Sequence, residues 1–217
     1  MNFPRLHALG DAALLCELPA PATLEAQQKI WALSARAAEW PGVGELLPGM
    51  NNLTLCFDPE RIALAQLEAQ VRDAWPKLEA TAIAGRLIEI PVAYGGEDGP
   101  DLHEVARHTG LTAQEVVRRH SQAEYLVYFL GFLPGFAFLG GLPPELATPR
   151  RSEPRTAVPA RSVGIGGEQT GIYPLVSPGG WQLIGRTPLE LFDPKAESPT
   201  LLRPGDSVRF VPESITA

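Results

Sequence analysis

Residues 128–150, "YFLGFLPGFAFLGGLPPELATPR", put four phenylalanines, four glycines and four prolines into one short run. No other part of the chain restricts the fold so strongly. The run is too apolar for a solvent loop and too often interrupted for a helix, since proline removes a backbone donor and glycine leaves the chain loose. It needs a turn-rich, β-dominated scaffold around it. Within that scaffold it reads in one of two ways. It is a preorganised apolar wall, with glycines permitting close backbone approach and prolines holding the loop in one shape, or it is a loop that plugs the end of a barrel. On the first reading Phe132, Pro134, Gly135 and Phe136 face a ligand.

The following sequence supplies such a scaffold. "SVGIGG", "TGIYPLV", "WQLIG", "LELF" and "SVRFV" are short apolar runs bounded by Gly or Pro, a spacing that suggests a closed barrel or a sandwich. The 21 glycines and 22 prolines of the 217-residue chain crowd into this second half. The first half has a different texture. "FPRLHAL" and "AALLCEL" form two strand candidates joined at Gly10-Asp11, a hairpin signal. "TLEAQQKIWALSARAAEW" predicts a helix capped by Thr23, with Leu24, Trp31, Ala35 and Ala38 on one face and Ile30 and Leu33 widening it. "VGELLPGM" and "NLTLCF" follow as strands. "DPERIALAQLEAQVRDAW" predicts a second helix, with Asp58 as its cap, Pro59 at its first position, and Leu64, Leu67, Val71 and Trp75 on its core face.

The expected fold is therefore an α+β N-terminal domain, a small antiparallel sheet with two helices, followed by a mainly-β domain. The boundary falls near Gly85, giving domains at 1–85 and 86–217. The second domain opens with a strand and two short helices. Asp101 with Glu104, and Thr112 with Glu115, have the spacing of capping boxes.

Charge narrows the partners. A net charge of -7 and a pI near 5.2 argue against nucleic acid, whose phosphates recruit Lys/Arg-rich faces, and no polybasic tract addresses an anionic membrane. Between Thr148 and Arg186, however, Arg150, Arg151, Arg155, Arg161 and Arg186 face only Glu153 and Glu168. This surplus either offsets neighbouring carboxylates or receives an anionic small molecule. Cys16 and Cys56 lie in separate strand-like runs without a C-x-x-C spacing or a nearby histidine. They read as buried reduced thiols, and no metal site is expected. The N-terminus lacks a signal-peptide pattern, and no run of 18 apolar residues occurs, so a cytoplasmic protein is expected.

"GEQTGIYPLVSPGGW" is the second candidate for chemistry. Gln169, Thr170, Tyr173 and Ser177 are neutral hydrogen-bonding side chains among glycines, with Trp181 as an aromatic platform. They suit a small amide or carboxylate, or else they belong to ordinary hairpins. The stretch lacks the GK[ST] ending of a phosphate loop. His120 is the histidine beside the Gly/Pro-rich region, and it is either structural or an acid–base group.

The blocks "HSQAEYLVYFLGFLPGFAFLGGL", "TPRRSEPRTAVPARSVGIGGEQTGIYPLVSPGGWQLIGRTPLELFD" and "RPGDSVRF" resemble the KipI family, the B subunit of bacterial ATP-dependent 5-oxoprolinase, also known as allophanate hydrolase subunit 1. The likeness is dense over about residues 86–211 and looser before that. It implies a cyclophilin-like β-barrel for the C-terminal domain. It also implies a KipA-type partner, the two resembling the halves of the urea carboxylase carboxyltransferase domain, and a further partner of the LamB/YcsF type. The implied reaction is ATP-dependent opening of 5-oxoproline to glutamate, with Mg2+-ATP used in the complex and no cofactor held tightly by this chain alone. Matched position by position, the family's polar and turn residues fall on His120, Tyr125, Pro134, Gly135, Arg150, Arg155, Gln169, Thr170, Tyr173, Ser177, Trp181 and Arg186. Arg150, Arg155 and Arg186 would then supply charge, while Gln169, Thr170 and Tyr173 orient the substrate. Arg161 stands where the family pattern has glycine, and Asn51-Asn52 replace a Ser-Leu-like pair. The resemblance also admits inhibition of a sensor histidine kinase, a biotin-linked carboxyltransferase half and, more weakly, prolyl isomerase activity.

Overall fold

The computed structural model describes residues 2–80 and 83–216. The chain divides into two compact units, residues 1–83 and 84–217.

The first unit is a four-stranded antiparallel sheet with two helices. Its strands β1 (Arg5–Leu9), β2 (Ala13–Glu17), β3 (Val43–Gly49) and β4 (Asn52–Phe57) run in the order β1-β2-β4-β3. Alternation sends Leu14 and Cys16 of β2, and Leu53, Leu55 and Phe57 of β4, into one core with α1 (Leu24–Ala37) and α2 (Leu64–Ala74). Thr23 caps α1 by accepting from the Ala26 N–H at 3.1 Å. The buried residues of α1 are Ala26, Gln27, Ile30, Trp31, Leu33 and Ala37, so Ile30, Trp31 and Leu33 lie inward as expected, whereas Leu24, Ala35 and Ala38 point to solvent. Ile30, Trp31 and Leu33 set the buried side, because each large apolar side chain buried contributes about 2 kcal/mol and the alanines far less. The second helix starts later than its sequence suggests. Asp58 instead closes a turn, accepting from the Glu60 N–H, and α2 begins after Ala63, where Gln66 Oε1 receives the Ala63 N–H. Cys16 is buried, with its thiol pushed up to about 12 chiefly by loss of solvent, whereas Cys56 is only half-buried.

The second unit is a closed seven-stranded barrel. Its strands are β5 (Leu87–Gly95), β6 (Tyr125–Leu130), β7 (Ala137–Gly140), β9 (Ser162–Gly166), β10 (Gln169–Ile172), β12 (Gln182–Arg186) and β13 (Ser207–Thr216), in the order β10-β7-β6-β13-β5-β12-β9. β8 (Arg155–Val158) and β11 (Ser177–Gly179) make a separate two-stranded ribbon. The run "LELF" forms no strand and contributes only one bridge, Phe192 to Thr200. Helices α3 (Leu102–Thr109) and α4 (Ala113–Gln122) add Leu102, Val105, Val116 and Val117 to the barrel core. Thr112 caps α4 through the Glu115 N–H at 3.1 Å. Asp101 precedes α3 but makes no side-chain cap; its carboxylate is engaged elsewhere.

Two non-glycine residues adopt positive φ where the sequence departs from the family pattern. Arg161 has φ 71°, in the left-handed region that glycine enters without cost, which agrees with the glycine expected there from the family resemblance. Asn51, at φ 57° in the β3–β4 turn, is among the side chains that tolerate that region best.

Candidate functional site

The barrel wall separates two apolar clusters, and strand alternation sets them apart. In β9, Val163 and Ile165 face the core, while Gly164 and Gly166 face outward; in β10, Thr170 and Ile172 turn inward and Gly171 outward. The glycine face is a seat for rings. A Cβ on Gly166 would lie 2.4 Å from the Trp181 indole, so only bare backbone lets that ring lie there. Phe136, Val158, Tyr173, Trp181 and Leu183 form this outer cluster. Phe136 is its hub, meeting Tyr173 at 5.3 Å and 80°, Trp181 at 5.6 Å and 81°, and Phe132 at 5.5 Å and 86° between ring centroids, all edge-to-face.

A cavity of 260 Å³ opens over these rings, lined by Phe132, Phe136, Phe138, Arg150, Pro154, Tyr173, Trp181 and, at the end of β11, Pro178, Gly179 and Gly180. Phe132, Phe136 and Phe138 of the phenylalanine-rich run thus line this cavity. Phe132 is held at φ 65° and is 62% exposed. Burial pushes the Tyr173 phenol up, while a backbone hydrogen bond from Trp181 and the charges of Arg150 and Arg155 pull it back.

The three arginines assigned charge from the sequence have different fates. Arg155 is locked against Asp101, donating from both terminal nitrogens at 2.9 Å. Asp101 also accepts from Arg151 at 3.2 Å and from the Leu183 N–H at 2.7 Å, and it is only 5% exposed. Its own N–H donates to Leu183 O, so α3 and β12 are tied in both directions. Arg186 donates its Nε to Ala160 O. Arg150 makes no hydrogen bond or ion pair with any described residue, and it lines both the aromatic cavity and a polar pocket of 370 Å³. The uncommitted cation is Arg150.

Three other predicted residues lie in the barrel interior. His120 is fully buried between Tyr94, Tyr125 and Phe210. Its ring bonds Tyr94 Oη through Nδ1 at 2.8 Å and Thr170 Oγ1 through Nε2 at 2.9 Å. Thr170 spends its one hydroxyl proton on Gly164 O, so it accepts from Nε2–H, and Nδ1 accepts the Tyr94 proton. Burial pushes the His120 pKa down to about 3. Tyr125 donates to His120 O at 2.8 Å. His120, Thr170 and Tyr125 thus form a saturated internal chain with no face toward the cavity. Gln169 Nε2 and Ser177 Oγ are buried without a described partner, and Pro134 and Gly135 line a shallow recess with Phe132. The structure adds Asp101, Phe138 and Gln182, which sequence reasoning missed. Asp101 was disguised as a helix cap; Gln182 carried no local signal.

Residues 4–202 match the family described as carboxyltransferase domain, subdomain C and D. The chain belongs to that family. It is 55% identical over 214 residues to the 5-oxoprolinase B subunit of Escherichia coli O157:H7, covering 98% of both chains. With the 5-oxoprolinase B subunit of Bacillus subtilis it shares 44% identity, covering 95% of this chain and 92% of the relative. The crystal structure of TTHA0988 superposes with a TM-score of 0.80 at 40% identity, over 92% of this chain. That protein is longer, and the match spans 39% of it. Among the described residues no helix is long and apolar enough to cross a membrane.

Proposed function

We propose that this chain is the B subunit of a cytoplasmic 5-oxoprolinase, working with KipA-type and LamB/YcsF-type subunits to open 5-oxoproline to glutamate at the expense of ATP. The observation that carries this is the 44–55% identity to proteins of that name over nearly the whole chain. The site is chemically suited to it. A five-membered lactam is flat and apolar on its ring carbons, and the edges and faces of Phe132, Phe136 and Trp181 provide a dry surface for them. Its carboxylate needs one uncommitted cation at the rim, and Arg150 is that group. The family's cyclophilin-like barrel class agrees with the closed seven-stranded architecture.

In the complex, Mg2+-ATP would supply phosphate to the lactam oxygen and make the carbonyl carbon more reactive toward water; two waters would then be consumed, one as the ring C–N bond breaks and one as phosphate is released. This chain's contribution is to bind and orient the lactam and to exclude water from the ring face. Arg155 acts indirectly, through the Asp101 tie that fixes the segment next to Arg150. The family description supports a second reading, a carboxyltransferase-like half that processes another amide.

The test is reconstitution. The chain is mixed with its KipA-type and LamB/YcsF-type partners, and glutamate formed from 5-oxoproline and ATP is measured, with a control that omits this chain only. Glutamate formation that stops in the control is expected. Equal formation in both mixtures refutes the role, and none in either mixture despite a stable complex favours the other amide.

A further inference from the structure

We propose that the polar pocket beside Arg150 seats the ring-opened product, an α-amino acid that presents a carboxylate and an ammonium group together. This deepens the function proposed above and rests on it.

The pocket of 370 Å³ and the aromatic cavity of 260 Å³ have one lining residue in common, Arg150. Its guanidinium is uncommitted, whereas Arg151, on the polar side, is already held by Asp101. Gln182 also lines the polar pocket and is 6% exposed. Its Nε2 donates to Pro149 O at 3.0 Å, which fixes the orientation of the amide. The opposite end, Oε1, is buried and meets no donor among the described residues. A buried acceptor without a donor is uncommon and calls for an N–H or O–H partner. Glu104 adds a carboxylate to the same lining.

These groups select among ligands. An inorganic phosphate satisfies Arg150 and can offer Gln182 Oε1 a P–OH, but it brings only negative charge beside Glu104. The closed lactam has a single N–H and an apolar ring, which suit the aromatic side. An α-amino acid answers each group, with carboxylate to Arg150 and ammonium to Gln182 Oε1 and Glu104. Ring opening generates that species. Water's oxygen bonds to the lactam carbonyl carbon and the C–N bond breaks. Both protons of the water end on the nitrogen, giving ammonium and a new carboxylate. The product is then more polar than the aromatic cavity tolerates, and Arg150 remains a shared anchor while the ammonium end leaves the rings.

The experiment is calorimetric titration of the full chain, alone and in the reconstituted complex, with L-glutamate, N-acetyl-L-glutamate, L-alanine, inorganic phosphate and 5-oxoproline. L-glutamate and L-alanine, which both carry the paired carboxylate and ammonium, are expected to bind about tenfold or more tightly than N-acetyl-L-glutamate, which lacks the ammonium group. Gln182→Met is expected to abolish the preference for L-glutamate over the N-acetyl form while keeping 5-oxoproline binding. The N-acetyl comparison on the unaltered chain stands even if that variant fails to fold. Equal binding of the two glutamates, or displacement of L-glutamate by phosphate at like concentration, overturns the proposal. Binding of 5-oxoproline with none of L-glutamate also overturns it but leaves the proposed activity intact. L-glutamate selectivity in a chain that supports no 5-oxoproline turnover sinks the activity instead.

Discussion

Acidification tests the interior histidine most directly. In the unfolded chain His120 titrates near 6.5, and in the fold burial holds it down to about 3. Between those values the unfolded state binds the extra proton, so stability falls as pH falls. The contribution is complete above pH 7 and is lost progressively toward pH 3. The slope reaches about 1.4 kcal/mol per pH unit, and the loss accumulated at pH 5 is about 2 kcal/mol. His120→Phe keeps an aromatic ring beside Phe210 but leaves the Tyr94 and Thr170 hydroxyls without their partner, which costs roughly 3 kcal/mol at pH 8. Urea unfolding of both proteins at pH 8, 7, 6 and 5 gives the assay. Other carboxylates titrate equally in the two, so the difference in slope isolates His120. The gap between the proteins should narrow by about 2 kcal/mol from pH 8 to pH 5. Parallel curves would refute the buried, neutral assignment. An acid–base role would appear separately, as a shifted pH–rate limb in the reconstituted complex.

Arg150→Gln should raise KM for 5-oxoproline about tenfold to a hundredfold in steady-state assays of the complex while leaving the unfolding midpoint nearly in place, because the exposed side chain makes no hydrogen bond or ion pair with a described residue. A lowered midpoint with unchanged KM would remove it from the site. Asp101→Asn should cost about 3 kcal/mol by urea denaturation, the low end for breaking a buried pair, since Arg155 remains 23% exposed and can recover some hydration. A loss below about 1 kcal/mol would make the tie between α3 and β12 incidental. Gly166→Ala drives a methyl group into the Trp181 indole, and overpacking of that kind costs about 1–3 kcal/mol. A shift in Trp181 emission should accompany it, and an unaltered spectrum would mean the ring does not lie on the glycine face.

Much of the fold was legible because local signals and tertiary demands agree. Thr112 caps α4 as its spacing indicates, Gly10 turns the first hairpin at φ 61°, and the short apolar runs of the second half close into a barrel. The first helix shows where periodicity falls short. Leu24, Trp31, Ala35 and Ala38 satisfy the spacing of a face, yet only Trp31 of the four is buried, beside Ile30 and Leu33, because the large apolar side chains outweigh the alanines. "SVGIGG" forms the strand that its apolar run indicates, but the run does not announce its second face: Gly164 and Gly166 occupy alternate positions, and their absence of side chains makes a seat on the outer surface of the barrel. A glycine at every second position is therefore a signal for a ring-bearing face, visible once alternation is applied to the missing side chains as well as to the present ones.

The site resisted the sequence for a related reason. Asp101 sits three residues before Glu104 and ahead of an apolar run, which satisfies the local rule for a cap. A cap contributes about 1 kcal/mol, whereas a buried carboxylate left without its cations costs several times as much. The aspartate therefore spends its lone pairs on Arg155, Arg151 and the Leu183 N–H, contacts 50 to 82 residues away in sequence. That choice decides the chemistry nearby. Arg155 and Arg151 are drawn toward one carboxylate, and of the two adjacent arginines it is Arg150, not Arg151, that is left free to meet a ligand. Charge counting along the chain finds five arginines in this region and cannot rank them. Burial of a single acid ranks them at once.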